Sequence, residues 1–277
     1  VALAVEASLQ QHYPLNIPIF YMAVFCATVW FYTKAYITDT IFPDAHERNK
    51  WYYHHQRFVK FSQAVLFLIL TAIAVYFGVM YYSRIPSLSL LQWILIIFFP
   101  VVGALYYGIT NSFNLRNIGW LKPFLIGITW AGLVNVYPIL FHDITHNIQT
   151  EIHFVNIVLF IKNFMFVTVL CIMFDIKDYI DDYNKQLKTF VVKNGLRKTI
   201  FYIILPLSAA GLSVFWIYSY TQHYSVMKVL LNTLPFIALI IVAYSLQRRK
   251  SILYYLILID GLMLLKAICG SVAMLYF

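Results

Sequence analysis

The sequence predicts an all-α, polytopic bundle of transmembrane helices, and three observations predict it. The chain of 277 residues is 62% hydrophobic and only 11% charged, with a mean hydropathy of +0.75, whereas a soluble domain carries about 25% charged residues. Its apolar stretches recur at close to the ~20 residues that a helix needs to cross a bilayer. Its basic residues gather in every second connection between those stretches, the asymmetry of membrane proteins whose positive loops face the cytosol. Apolar segments use nearly all of the length, so residues 1–277 are expected to form a single transmembrane domain with no separate soluble part.

Taken in order, the apolar run at residues 1–5 reads as the tail of a helix that begins outside this sequence. Eight complete segments follow, at residues 17–38, 61–82, 90–109, 121–140, 152–174, 199–220, 226–246 and 251–277. With the opening stub, the expected architecture has nine spans. Pro100, Pro138, Pro206 and Pro235 fall inside segments, where membrane helices accept proline as a kink if neighbours re-satisfy the freed carbonyls. The small residues Ser208, Ala209, Ala210 and Gly211, and later Cys269, Gly270 and Ser271, mark close helix approach. Cys26, Cys171 and Cys269 lie in apolar segments without paired spacing and read as packing residues.

The formal charge of +9 belongs to the loops. One side carries Arg48, Lys50, Arg57, Lys60, Arg116, Lys122, Lys177, Lys185, Lys188, Lys193, Arg197, Lys198, Arg248, Arg249 and Lys250, and the other only Arg84 and Lys228. This excess reads as attraction to anionic lipid at the cytosolic face. No basic patch interleaved with aromatic residues is present in the sequence, so nucleic acid is not an expected partner. Two connections on the basic side are long, residues 39–60 and 175–198, and long loops in a compact bundle are functional candidates.

The second of these opens with Asp175, Asp178 and Asp182 at i, i+3 and i+7, followed by Lys188-Thr189 and Gly195. If the preceding helix runs on through them, the three carboxylates share one face and repel one another. A hard divalent cation such as Mg²⁺ relieves that repulsion and holds a phosphate in turn, while the following lysines supply further positive charge. The competing reading is an acidic, solvated helix end.

The run resembles the second aspartate motif of the UbiA superfamily of intramembrane prenyltransferases. Asp178 and Asp182 fall on its DxxxD, Asp175 on the acid before it, and Lys188-Thr189 and Gly195 on the later positions. Residues 117–123, with Lys122, are similar to the start of that family's fourth helix, where a lysine faces the diphosphate. The resemblance implies a UbiA-like, nine-helix fold that transfers a prenyl group from a polyprenyl diphosphate to a lipophilic, often aromatic, acceptor. It implies Mg²⁺ on Asp175, Asp178 and Asp182, catalytic roles for Asp178, Asp182 and Lys122, and diphosphate contacts from Lys188 and Arg116. The expected address is the bacterial inner (cytoplasmic) membrane, with the acidic loop cytoplasmic. The family's first motif, NxxxDxxxD, is absent: Thr33, Ile37 and Ile41 stand at its positions, and Asp39 and Asp44 are out of register. Lys34 is then the cation that stands in for a missing metal, or a lysine that snorkels to the headgroups. Loss of that motif favours one alternative, a non-catalytic protein that binds an isoprenoid diphosphate.

A second alternative is a transporter that uses Asp260, Lys162 and Lys34 as a polar pathway. Lys162, Asp260 and Lys266 lie at depths where a charge costs about 2.5–3.5 kcal/mol. Asp260 either lines a substrate cavity beneath the acidic loop or pairs with Lys34 or Lys162; Lys162 and Lys266 read as structural. His142 and His146, with Asp143, Glu151 and His153 nearby, read as an exposed polar loop rather than a metal site, and His54-His55 as headgroup-level residues.

Overall fold

The computed structural model describes residues 1–34, 37, 47–108, 115–184, 186–248 and 250–277; Asp39, Ile41, Asp44, Lys185 and Arg249 lie outside them. Every regular element among the described residues is helical. Seven helices are long and apolar enough to cross a membrane: α4 (Gln56–Met80), α5 (Leu90–Tyr107), α6 (Lys122–His146), α7 (Phe154–Lys177), α10 (Leu196–Thr221), α11 (Val226–Ser245) and α12 (Ile252–Tyr276). The shorter helices are α1 (Ala2–Gln10), α2 (Pro18–Lys34), α3 (Glu47–His54), α8 (Tyr179–Asn184) and α9 (Phe190–Asn194). The segment expected at 17–38 is thus α2, 17 residues long and about 25 Å at 1.5 Å per residue.

The described residues form two compact units. The first, residues 16–88 with Val1, is built on α2 packed against α4. Gln63 of α4 donates to the Trp30 carbonyl at 3.1 Å and to Thr33 Oγ1. The second half of the loop expected at 39–60 is helical, as α3 and the start of α4. Residues 47–58 contain no glycine or proline to interrupt them. His54 and His55 are exposed and turn their Nδ1 atoms to the carbonyls of Lys50 and Trp51.

The second unit, residues 2–15 and 89–277, surrounds α7. Of the seven long helices α7 is the most buried, and Phe166, Val169, Leu170, Ile172 and Met173 on it meet Ile200 and Ile204, Phe236 and Leu239, and Tyr255 and Ile259. Its packing against α6 is the most extensive among the described residues. Two connections fix the ends. Lys122 at the start of α6 meets Asp175 at the end of α7. At the other end, Gln92 of α5 donates to the Ile148 carbonyl at 3.1 Å and to Thr150 at 3.2 Å. We call these the acid-loop end and the opposite end.

Three of the long helices contain a π-helical turn: Gly132–Val136 in α6, Ile200–Ile204 in α10 and Tyr255–Ile259 in α12. The first two immediately precede Tyr137-Pro138 and Leu205-Pro206. A proline ring collides with the carbonyl four residues back, and that carbonyl lies within the widened turn in both cases. The third has no proline behind it. It ends at Asp260, and π turns without a steric cause are frequent at functional sites.

Candidate functional site

The site begins with one ion pair. Lys122 is the first residue of α6, followed by the favoured Pro123. Its Nζ lies 2.7 Å from Asp175 Oδ1, with 20% of the lysine side chain exposed and 1% of the aspartate. The second carboxylate oxygen, Asp175 Oδ2, is buried with no hydrogen-bond partner among the described residues. Asp182 is also buried, within electrostatic reach of Lys122. Tyr106, buried at the end of α5, is in electrostatic reach of Lys122, Arg116 and Asp175.

Here the structure corrects one expectation. The three aspartates do not share the face of an uninterrupted helix. α7 ends at Lys177, Asp178 is its C-cap with φ −87° and ψ 10°, and α8 begins at Tyr179. Asp178 keeps 28% of its side chain exposed and places Oδ1 3.1 Å from Lys177 Nζ, while Asp175 and Asp182 go inward. Among the described residues no group of three or more His, Cys, Asp or Glu side chains is arranged to hold a metal ion. Two buried carboxylates remain in reach of Lys122, those of Asp175 and Asp182. One or two carboxylates are what Mg²⁺ usually takes from a protein when phosphate and water fill its octahedron.

The loop carrying Lys188 is fixed by backbone contact against the stretch that precedes Lys122. A Cβ on Gly119 would lie 2.5 Å from Thr189 N and 2.6 Å from the Lys188 carbonyl carbon, so only glycine allows this approach. Thr189 is fully buried and starts α9, its Oγ1 accepting from the Val192 N–H at 3.4 Å. Gly195 follows with φ +79°. The chain then re-enters the bundle through Thr199, whose hydroxyl donates to the carbonyls of Phe190 and Gly195. Lys188 itself projects outward and is exposed.

On the third side is α12. Its π turn delivers Asp260, half-buried, within electrostatic reach of Cys171, which stands one helical turn before Asp175 on α7. Tyr255, inside that turn, is in electrostatic reach of Asp178. The structure therefore gathers Lys122, Asp175 and Asp182 as a core, with Arg116, Asp178 and Asp260 around it. Lys34 belongs to the first unit, where its ammonium lies 5.1 Å from the centre of the Trp30 ring. Sequence reasoning missed Tyr106 and read Cys171 as a packing residue, because an isolated tyrosine or cysteine in an apolar run carries no pattern.

Two other groups of singled-out residues fall elsewhere. His142 and His146 lie within α6, which continues to Asn147 in the left-handed conformation. Their rings stack at 4.2 Å beside the buried Asp143, so this stretch is helix and not the loop expected. Lys162 and Lys266 both approach Glu6 of α1, at 3.6 Å and 2.7 Å.

Comparison of the chain with protein-family models, with curated proteins and with solved structures finds no match to it.

Proposed function

We propose that the acid-loop end of the second unit binds a polyprenyl diphosphate, and that the protein is a UbiA-like prenyltransferase passing the prenyl group to a lipophilic acceptor. The observation that carries the reading is the Lys122–Asp175 pair at 2.7 Å. It joins the two separate stretches that resemble the family, the start of its fourth helix and its second acidic motif. On this reading Lys122 and Arg116 receive the negative charge that builds on the leaving pyrophosphate as the allylic C–O bond breaks and takes its electron pair. Asp175 and Asp182 would hold Mg²⁺, which adds Lewis-acid stabilisation of the same charge. The acceptor supplies the electron pair of the new bond to the allylic carbon and loses its proton to water.

The Thr33 and Ile37 positions favour a second reading, in which the diphosphate is bound without turnover. One experiment separates the outcomes. Binding of a fluorescent polyprenyl diphosphate in the presence of Mg²⁺ is compared for wild type, Lys122→Met and Asp175→Asn/Asp182→Asn. At least tenfold weaker binding in both variants is expected, and equal binding in all three removes the site. Pyrophosphate release with a panel of phenolic and quinol acceptors then distinguishes transfer from binding alone.

A further inference from the structure

About 12 Å inside the opposite end, counted along α7 at 1.5 Å per residue, is a second cluster of charges that the proposed reaction does not use. Glu6 of α1 is fully buried, Lys162 of α7 is 1% exposed and Lys266 of α12 is 3% exposed. Lys266 Nζ donates to Glu6 Oε2 at 2.7 Å. Lys162 Nζ lies 3.6 Å from Glu6 Oε1, too far for a hydrogen bond, and donates instead to the neutral amide of Gln10 at 2.5 Å. Glu6 Oε1 has no hydrogen-bond partner among the described residues. Space for the carboxylate exists because residue 270 is glycine: a Cβ there would lie 2.5 Å from Glu6 Cγ.

Two ammonium groups face one carboxylate. With every member charged, the cluster carries one uncompensated positive charge, and an unpaired charge away from water costs several kcal/mol. With one proton fewer the cluster is neutral. The two lysines are not equivalent in how they are held, since one grips the carboxylate and the other an uncharged amide. We propose that Glu6, Lys162 and Lys266 form an intramembrane proton-binding site that takes up one proton on acidification, with Lys162 as the member that gains and loses it.

A polar route connects the cluster to the opposite end. The Gln10 carbonyl accepts from Tyr218 Oη at 3.1 Å, and Tyr218 Oη lies 3.0 Å from Tyr224 Oη in the connection between α10 and α11. Gln10 Nε2 donates to Asn232 Oδ1 at 2.6 Å. The proton that leaves Lys162 goes to solvent water; the amides of Gln10 and Asn232 do not carry it. The groups facing the cluster are few. α10 and its following turn contribute Tyr218 and Tyr224, and α11 contributes Asn232 and, over the Tyr224 ring, Lys228. α6 contributes Asn135, which accepts from Asn163. His142 and Asp143 lie further along, where the Tyr13 ring meets His142. The rings under the two lysines are Phe215 and Phe166.

The test is thermal and denaturant stability of the purified protein in lipid nanodiscs across about pH 5 to 8, where ordinary lysines stay charged. The unfolded chain takes the proton more readily than the folded one, so the wild type loses up to about tenfold in its folding equilibrium per pH unit of acidification. Lys162→Met leaves the neutral Glu6–Lys266 pair and loses the part of the pH dependence that Lys162 supplies, so its stability changes by up to about tenfold less per pH unit than that of the wild type. A wild type without that dependence, or a Lys162→Met variant that keeps it, overturns the proposal. Infrared difference spectra of ¹⁵N-lysine-labelled wild type between the two pH limits need no variant. An isotope-sensitive ammonium band gained in acid supports the site, and its absence overturns it.

Discussion

Replacing Lys122 by methionine tests the ion pair on which the candidate site is built. Methionine keeps the unbranched stem and removes only the charge, so α6 is expected to form as before. What changes is Asp175, whose carboxylate is 1% exposed and would be left without its cation. Breaking a fully buried pair costs about 3–5 kcal/mol; because 20% of the lysine side chain reaches the surface, about 3 kcal/mol is expected. Asp175→Asn strands an ammonium that can turn toward water, at about 1 kcal/mol. The double variant removes both charges and is expected to cost about 2 kcal/mol, so the two effects fall short of additivity by about 2 kcal/mol. Unfolding of the four proteins in one detergent, followed by tryptophan fluorescence, gives the cycle. Additivity within about 0.5 kcal/mol would show that the two side chains do not interact and would dismantle the site.

Two further outcomes follow from local geometry. Gly119→Ala forces the Lys188–Thr189 backbone away and is expected to cost about 1–3 kcal/mol, with a parallel loss of polyprenyl diphosphate binding; unchanged stability and binding would show that the two loops do not touch. Tyr224 lies outside the long helices, and burial, followed by its hydrogen bond with Tyr218, pushes its hydroxyl above the usual range. A raised phenol contributes stability that is complete below about pH 10 and is lost as pH rises through its folded value. Absorbance titration at alkaline pH should therefore show a late-ionising tyrosine that is missing in Tyr224→Phe, and an unchanged titration curve would contradict the packing described.

The sequence was most legible where physical chemistry acts over short range. Seven of the expected apolar segments correspond to long helices whose ends lie within a few residues of those read from hydropathy, apart from α4, which begins at Gln56, and α6, which runs on to His146 because Asn147 caps it in the left-handed conformation. The acidic run could be singled out by its i, i+3, i+7 spacing, and Lys122 by the family that residues 117–123 resemble. The break at Asp178 was not legible, since i, i+3, i+7 spacing is the same whether or not the helix pauses for a residue. The π turns left no mark except the prolines behind two of them. Glu6 was hidden for a different reason. It lies in a stretch of nine helical residues, too short to read as a span, and its partner Lys266 is 260 positions away. Distance along the chain is what pattern reading cannot bridge.

That separation bears on how the protein is made. α1, α7 and α12 emerge from the ribosome in that order, so until α12 is made Lys162 is the cation near the Glu6 carboxylate among the described residues. α12 then leaves the ribosome carrying a lysine that an isolated apolar helix tolerates poorly, at about 2.5–3.5 kcal/mol. Its lateral release from the insertion machinery becomes favourable once the earlier helices have closed around α1 and present the carboxylate to it. Assembly is thereby ordered, and replacing Glu6 by leucine should leave α12 slower to settle against α1 and α7.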